Sequence, residues 1–204
     1  MSQPGTMNPD NPDIQFFLSA LENNYQCKTG DARFLAKQFA CQNLVEKEHL
    51  IEAGEIAKDV YFFVDGIFRV YYIDQNGNEV NQQFYQAGEV IAPVFSLTNK
   101  EVSPFYLQAL TPSRVLVAEY QQLIETGKNS IAWLTAENAI LKSVFLKTAR
   151  REAQMLLGGA EQRYRWFLKE NPELAEQLPL YQIASYLNVT PVSLSRLRKK
   201  LSQS

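Results

Sequence analysis

Apolar residues recur along this chain with different spacings, and each spacing predicts a different kind of element. In residues 13–26 and 31–45 they recur every three or four positions, which predicts two helices with broad apolar faces. In residues 49–120 short apolar runs alternate with turn residues, which predicts β-strands. In residues 128–157 the helical spacing returns and continues long enough to predict one extended helix.

The strand-like region has the turn spacing of an antiparallel roll. Gly54, Gly66, Gly77 and Gly88 follow one another at intervals of eleven or twelve residues. Asn76 and Gly77 separate two strand-like runs, which predicts a hairpin with a type I′ turn. The two sheets of a jelly roll would bury the apolar side chains of Val60, Phe62, Phe68, Val70, Leu107 and Val117. We therefore expect a β jelly roll, followed by a short, partly helical connector at residues 120–127.

The extended helix carries a seam with the spacing of a two-stranded coiled coil. The seam residues are Ile131, Leu134, Asn138, Leu141 and Phe145, and the same register continues to Met155. A polar residue at the position of Asn138 fixes register in paired helices. Trp133, Ile140 and Val144 lie off the seam and are expected to face the roll. The pattern indicates a dimerisation helix, and the alternative is a single amphipathic helix packed on its own domain.

Two consecutive glycines, Gly158 and Gly159, end this helix in the sequence. Glycine inside a helix costs about 1 kcal/mol relative to alanine, so the pair marks a boundary. Two interpretations remain open at this point. The glycines either terminate the helix only, or they form a hinge that lets the following module reorient.

The stretch after the glycines contains two short helical patterns joined by a tight turn. Pro179 opens the first pattern, whose apolar residues Leu180, Ile183, Ala184 and Leu187 share one face. Asn188 tolerates the left-handed backbone that such a turn needs. Thr190 is placed to cap the second helix, with Pro191 at its first position. Two helices and a turn of this length are typical of a DNA-binding helix-turn-helix.

The second of these helices divides into a buried and a basic face. Leu194, Leu197 and Leu201 are expected to be buried. The expected DNA-binding residues are Thr190, Val192, Ser193, Ser195, Arg196, Lys199 and Lys200. The alternative is an ordinary helical hairpin with a solvated basic end.

Charge is unevenly distributed along the chain, although the net charge is only −2. Residues 142–204 contain eleven Lys and Arg against five Glu, whereas residues 1–141 carry nine basic and seventeen acidic residues. A basic C-terminal module on an acidic body suits a negatively charged partner, and duplex DNA is the first candidate.

The composition argues against catalysis and against a bound metal. Two cysteines and one histidine, His49, are too few for a thiolate cluster or for the histidine-rich metal site of a cupin enzyme. No nucleophile–base pair or phosphate-binding loop stands out. We therefore expect no enzyme, no catalytic residue, no metal and no cofactor. Since no apolar run approaches membrane-spanning length and no signal peptide opens the chain, we expect no membrane partner and a cytoplasmic location.

The order of these elements resembles the Crp/Fnr superfamily of transcription regulators. The resemblance covers residues 44–201 and is most specific at HLIEAGE, VYFFVDGIFRVYY and IASYLNVTPVSLSRLRKKL. It implies an N-terminal sensory roll, a recognition helix at residues 191–200, and double-stranded DNA and a second copy of the chain as partners. Arg196 matches the arginine that reaches guanine in such proteins, whereas Val192 falls where many members carry glutamate. RNA polymerase is a further candidate partner.

The chain departs from the family at the cyclic-nucleotide pocket. Ala92 and Pro93 occupy the position of the family's Gly-Glu pair, and Ser103 and Pro104 occupy that of the phosphate-binding arginine. Glu89 would repel a phosphate if it pointed inward. The resemblance therefore implies a degenerate effector pocket that does not bind cyclic AMP or cyclic GMP. The aromatic residues Phe84, Tyr85, Phe95, Phe105 and Tyr106 would either fill this space or line a pocket for a small uncharged effector.

Taken together, the sequence predicts an α+β protein with an N-terminal β jelly roll and flanking helices, a long dimerisation helix and a C-terminal helix-turn-helix domain. The expected boundaries are residues 1–127, 128–157 and 158–204. The expected function is that of a Crp/Fnr-type regulator that binds a near-palindromic DNA site as a homodimer. The alternative is a ligand-sensing adaptor with the same roll that does not bind DNA.

Overall fold

The structure is a computed structural model that describes residues 8–25 and 33–201. The N-terminal part contains helix α1 (Pro12–Tyr25), a short 3-10 helix (Arg33–Gln38) and eight strands. The strands are β1 (Ala40–Leu44), β2 (His49–Ile51), β3 (Asp59–Asp65), β4 (Phe68–Ile73), β5 (Glu79–Tyr85), β6 (Val90–Ile91), β7 (Tyr106–Ala109) and β8 (Ser113–Glu119). Helix α2 (Val94–Asn99) lies between β6 and β7 in the chain.

The strands form two four-stranded sheets, as the jelly-roll prediction required. One sheet has the order β1-β8-β3-β6 and the other has the order β2-β7-β4-β5. In the first sheet β8 pairs antiparallel with both β1 and β3, so that Val117 lies opposite Ala40 on one side and Tyr61 on the other. The prediction of an antiparallel roll is confirmed.

The predicted helix at residues 31–45 is wrong over most of its length. The structure has the 3-10 helix at Arg33–Gln38, and residues 40–44 form strand β1 instead. Phe34 and Leu35 lie in the 3-10 helix, but the helical pattern does not continue into the residues that follow. Pairing with β8 satisfies the backbone of residues 40–44 and overrides their helical pattern. Residues 26–32, where the first predicted helix ends and the second begins, lie outside the described residues.

The hairpin at Asn76 and Gly77 is present, but its turn is of another type. Only Gly77 has a positive φ, of 83°, whereas a type I′ turn needs positive φ at both central residues. The N–H of Gly77 donates to the carbonyl of Asp74, and the Asp74 side chain accepts hydrogen bonds from the N–H groups of Asn76 and Asn78. The loop is therefore a type I turn followed by a left-handed glycine, and the Asp74 side chain selects it.

Strand β3 is buried on both of its faces. Phe62 packs among the apolar residues of α1, including a ring contact with Phe17. Phe63 points to the opposite face, where its ring contacts Phe68 and Tyr85 inside the roll. The sheet containing β3 therefore separates the roll interior from a second apolar layer formed by the flanking helices.

Six helices follow the last strand in the described residues. They are α3 (Tyr120–Gly127), α4 (Ile131–Leu157), α5 (Ala160–Glu170), α6 (Pro172–Gln177), α7 (Leu180–Tyr186) and α8 (Pro191–Leu201). The extended helix predicted from residue 128 is α4, and it begins at Ile131. Trp133 of α4 is buried, as expected for a residue off the seam.

The close contacts group the described residues into two compact units. One unit contains the described residues up to Val70 together with Phe84–Val144, and the other contains Tyr71–Gln83 with the residues from Phe145 onward. The boundary thus falls within α4 rather than at its ends. The β4–β5 hairpin belongs with the C-terminal helices, which the linear sequence does not indicate.

In the part of the chain that the structure describes, no helix is both long and apolar enough to cross a membrane. Among the same residues, no group of three or more His, Cys, Asp or Glu side chains is placed to hold a metal ion.

Candidate nucleic-acid interface and effector region

The turn between α7 and α8 has the backbone that its sequence predicts. Pro179 is at the position before the first residue of α7, and the N–H of Leu187, after its last residue, donates to the carbonyl of Ile183. Asn188 has a φ of 53°, in the left-handed region. The N–H of Val189 then donates to the carbonyl of Ala184 over 3.0 Å, which closes the turn. Ala184 is fully buried, consistent with a small side chain between the two helices.

Thr190 caps α8, as the sequence predicts. Its hydroxyl oxygen accepts a hydrogen bond from the N–H of Ser193 over 3.2 Å, and Pro191 is the first residue of the helix. The Thr190 hydroxyl also contacts the Ser193 hydroxyl at 2.9 Å. The two hydroxyls at the start of α8 are therefore hydrogen-bonded to each other.

Helix α8 buries one face and exposes the other. Leu194 is fully buried, and Leu197 and Leu201 are half-buried. Of the predicted DNA-binding residues, Ser195 is half-buried and the exposed ones are Thr190, Val192, Ser193, Arg196, Lys199 and Lys200. The exposed face is therefore polar and cationic along most of the helix.

Lys200 is paired in the free protein. Its Nζ lies 2.8 Å from Oε2 of Glu161, and Arg165 contacts the other carboxylate oxygen of Glu161 at 3.0 Å. The hydrogen bond from Lys200, followed by that from Arg165, lowers the pKa of the Glu161 carboxyl. The Glu161 carboxylate of α5 therefore contacts one cation of its own helix and one of α8.

A hydrogen-bonded cluster that the sequence did not reveal holds α7 against the β4–β5 hairpin. The Asn81 side chain donates to the carbonyl of Gln182 over 3.0 Å and to its side-chain oxygen over 2.6 Å. The N–H of Asn81 donates to the hydroxyl of Ser185, which in turn donates to the carbonyl of Glu79. Asn81 is fully buried. These partners lie about a hundred residues apart in the chain, so no local pattern could have indicated them.

Arg151 of α4 joins the same cluster. Its Nη2 donates to the carbonyls of Asn81, over 3.2 Å, and of Tyr186, over 2.9 Å. Its guanidinium lies 4.8 Å from the centre of the Tyr186 ring. Burial lowers the pKa of Arg151 from its ordinary value. The first helix of the helix-turn-helix is therefore fixed to both the hairpin and the long helix.

The residues around the two glycines are bridged by one arginine. The Arg163 side chain donates to three backbone carbonyls. Met155 lies before the two glycines, Gly158 is the first of them, and Leu187 follows the last residue of α7. A β-carbon on Gly158 would lie 2.8 Å from the carbonyl oxygen of Gln154, whereas one on Gly159 would meet nothing within 4 Å. Close packing explains the first glycine. The hinge itself stays a prediction.

The seam residues of α4 are exposed on the single chain. Ile131 is 83% exposed and Phe145 is 71% exposed, and Leu134, Asn138 and Leu141 are also exposed. Exposed large apolar side chains along one helix mark an interaction surface.

The residues of the predicted effector pocket are not all brought to one place. The Ser103 hydroxyl donates to the carbonyl of Phe105, and the backbone of Ser103 bonds to Gly54 and Glu55, so its side chain stabilises a loop. Pro104 is exposed. Pro93 is buried and lies at the N-cap position, directly before α2.

The other two predicted pocket residues also have structural roles. A carboxylate oxygen of Glu89 accepts a hydrogen bond from the N–H of Gln86 over 2.8 Å, which closes the turn before β6. Ala92 lines an apolar cavity on the outer side of the sheet. Among the aromatic residues, Phe84, Tyr85 and Phe105 are buried, whereas Phe95 is 49% exposed.

Residues 41–130 match the family model of the cyclic nucleotide-binding domain. The regulator CLP from Xanthomonas campestris, which is described as c-di-GMP responsive, has a similar structure with a TM-score of 0.71 and 14% sequence identity, over 86% of this chain and 92% of CLP. FixK2 from Bradyrhizobium japonicum has a TM-score of 0.69 at 18% identity, over 81% of this chain and 85% of FixK2.

A variant of CooA from Carboxydothermus hydrogenoformans is similar with a TM-score of 0.66 at 16% identity, over 82% of this chain and 78% of that protein. No sequence among characterised proteins matches the chain significantly. The resemblance predicted from the motifs is confirmed at the level of the fold: residues 41–130 match the cyclic nucleotide-binding domain, and the fold is similar to those of CLP, FixK2 and CooA.

Proposed function

We propose that the protein is a transcription regulator that binds a near-palindromic DNA site as a homodimer. The observation that carries this proposal is the α7–α8 unit. In this unit two helices are joined by a tight turn, which contains the left-handed backbone of Asn188 and is followed by the Thr190 cap. Ala184 in the first helix and Leu194 in the second are fully buried. The second helix then exposes hydroxyl and cationic side chains along its outer face.

The cations of α8 have two different roles in this proposal. An exposed arginine on a recognition helix can donate two hydrogen bonds to O6 and N7 of guanine, and Arg196 is exposed at the middle of α8. Lysines farther along the helix contact phosphates, which strengthens binding to all sequences and makes it dependent on salt. Arg196 would therefore determine sequence preference and Lys199 would contribute general affinity.

The proposal is tested by selecting bound sequences from a random pool of DNA duplexes with two matched variants. We expect Arg196→Ala to lose preference at one base pair per half-site, worth about 1–3 kcal/mol. We expect Lys199→Ala to keep the preference, to weaken binding to all sequences alike, and to reduce the salt dependence by about one phosphate contact.

A pool with no enriched sequence would contradict the proposal and favour an adaptor that does not bind DNA. An unchanged preference in Arg196→Ala would contradict the role of that residue alone.

The exposed seam on α4 supports the homodimer. Since two-fold symmetric dimers present two recognition helices, the DNA half-sites should lie about one helical turn apart. The selected sequences should therefore be near-palindromic.

We further propose that the domain does not use cyclic AMP or cyclic GMP. A buried cyclic phosphate needs a cation or several N–H groups facing it. The Ser103 hydroxyl already donates its hydrogen bond to the carbonyl of Phe105. Pro93 and Pro104 have no backbone N–H to offer a phosphate. The buried Arg69 of β4 donates from both Nε and Nη2 to the side-chain oxygen of Gln108.

Calorimetry with either cyclic nucleotide at millimolar concentration should therefore give no saturable heat. Cyclic di-GMP, to which CLP is described as responsive, should behave in the same way. A micromolar isotherm for any of the three would show that the domain keeps a nucleotide site.

A further inference from the structure

We propose that an apolar cavity outside the roll, between the sheet and the flanking helices, binds a small uncharged molecule that carries one hydrogen-bond donor. The cavity measures about 170 Å³. Helix α1, the 3-10 helix, strands β3 and β6, and helices α2, α3 and α4 all contribute to its wall. Treating this molecule as the effector of the regulator rests on the function proposed above, whereas its binding does not.

The wall of the cavity is almost entirely apolar. Phe17, Phe62, Leu123 and Trp133 are among the side chains that line it, and each is itself buried from solvent. An apolar cavity of about 150 Å³ stays dry and accepts a ligand as large as benzene. The size and the wall therefore fit a molecule of one six-membered ring and a substituent.

This cavity is separate from the interior of the roll. Phe63, Phe68 and Tyr85 are in ring contact inside the roll and are buried. The cavity instead lies against Val60 and Phe62, whose side chains are on the opposite face of β3. The space available to a ligand is thus on the other side of the sheet from these three aromatic side chains.

One polar pair lies in the cavity wall and selects the chemistry of the ligand. The Tyr120 hydroxyl donates to Oε1 of Glu137 over 2.6 Å. Burial, together with this hydrogen bond, raises the pKa of Tyr120 to about 12, so the hydroxyl keeps its proton and remains committed to Glu137. The Glu137 carboxylate is then an acceptor for a hydroxyl or N–H of the ligand and repels an anion.

The entrance is formed by residues that line the cavity and are also exposed. Val94 and Thr98 of α2 have both properties, and so does Leu141 of α4, which is also a seam residue. A ligand can therefore enter between α2 and α4 without unfolding either helix.

Helix α4 connects the cavity to the seam. Trp133, Ala136 and Ile140 line the cavity, whereas Ile131 and Leu134 on the same helix are exposed. A bound ligand supports the helix from the cavity side, and this fixes the position of the seam residues toward a second chain. DNA affinity should change accordingly if the regulator proposal holds.

Trp133 provides a direct reporter of binding. The chain has two tryptophans, so Trp166→Phe leaves Trp133 alone to emit. We expect cyclohexanol to change this emission saturably, with a dissociation constant on the order of 0.1–1 mM for a ligand of about seven non-hydrogen atoms. Methylcyclohexane, which lacks the donor, should bind more weakly, and cyclohexanecarboxylate should bind least.

Two variants in the Trp166→Phe background separate specific binding from partition into the protein. Ala136 is buried in the cavity wall, so Ala136→Leu should fill the space and abolish the response. Ala153→Leu makes the same change at an exposed site on the same helix and should leave the response unaltered. Glu137→Gln keeps an acceptor but removes the charge, so cyclohexanecarboxylate should bind at least tenfold better than before.

No saturable response to cyclohexanol in the chain with only Trp166→Phe would overturn the inference, as would an equal response in a folded Ala136→Leu chain. If Ala136→Leu fails to fold, Glu137→Gln decides: unchanged exclusion of the carboxylate overturns the assignment of the polar pair. These measurements are made without DNA, so a negative result does not contradict the regulator proposal. Failure of the duplex selection, conversely, leaves the ligand site standing.

Discussion

We expect a chain that carries Leu134→Glu and Phe145→Glu to be monomeric and to lose most of its affinity for a palindromic site. Both side chains are exposed on α4 and lie on the predicted seam, and neither lines the cavity. Burial of each would stabilise a dimer by about 1.5–3 kcal/mol per chain. A carboxylate at either position cannot be buried without a partner.

The effect on DNA follows from the loss of the second recognition helix. Two linked modules bind more tightly than one because the second contact is intramolecular, and the gain is on the order of 10²–10⁴. Sedimentation or light scattering gives the oligomeric state, and titration with the selected duplex gives the affinity.

Leu146→Glu is the matched control for the seam. Leu146 is half exposed on the same helix but lies off the seam, so its replacement should leave the dimer intact. A double-seam variant that remains dimeric would show that α4 is not the dimer contact. Monomers with both variants would show that the contact on α4 extends beyond the seam.

The helix-turn-helix could be predicted because its signals are local. The left-handed backbone at Asn188 and the cap at Thr190 are properties of the residues themselves and of their near neighbours. The long helix could be predicted for the same reason. In both cases the sequence pattern and the observed structure agree over a few turns of chain.

The errors arise where distant partners decide the structure. Residues 40–44 form a strand because β8 pairs with them, and Asp74 rather than the Asn76–Gly77 pair determines the hairpin turn. The cavity has walls from seven separate elements, so no stretch of sequence contains it. Two residues of the predicted effector pocket have local partners: the Ser103 hydroxyl donates to the carbonyl of Phe105, and the Glu89 carboxylate accepts from the N–H of Gln86.

The bridge formed by Arg163 gives the second large expected effect. We expect Arg163→Ala to destabilise the C-terminal unit by about 2–4 kcal/mol, because three backbone carbonyls lose a charged donor at once. In a chain of this size the midpoint of thermal unfolding should fall by roughly 5–10 °C. Arg165→Ala makes the same change on the same helix. Since Arg165 is exposed and bonds only across one turn to Glu161, its loss should have little effect.

The same pair of variants tests the hinge at Gly158 and Gly159. Arg163 connects Met155, before the glycines, to Leu187, at the end of α7. If the module reorients there, motion must break these bonds, and Arg163→Ala should change DNA affinity while the dimer and the helix content persist. Calorimetric unfolding and duplex titration of both variants provide the comparison. If Arg163→Ala lowers the stability but leaves DNA affinity unaltered, the glycines only end α4 and do not act as a hinge. If the two variants are equally stable, the hydrogen bonds of Arg163 do not stabilise the C-terminal unit.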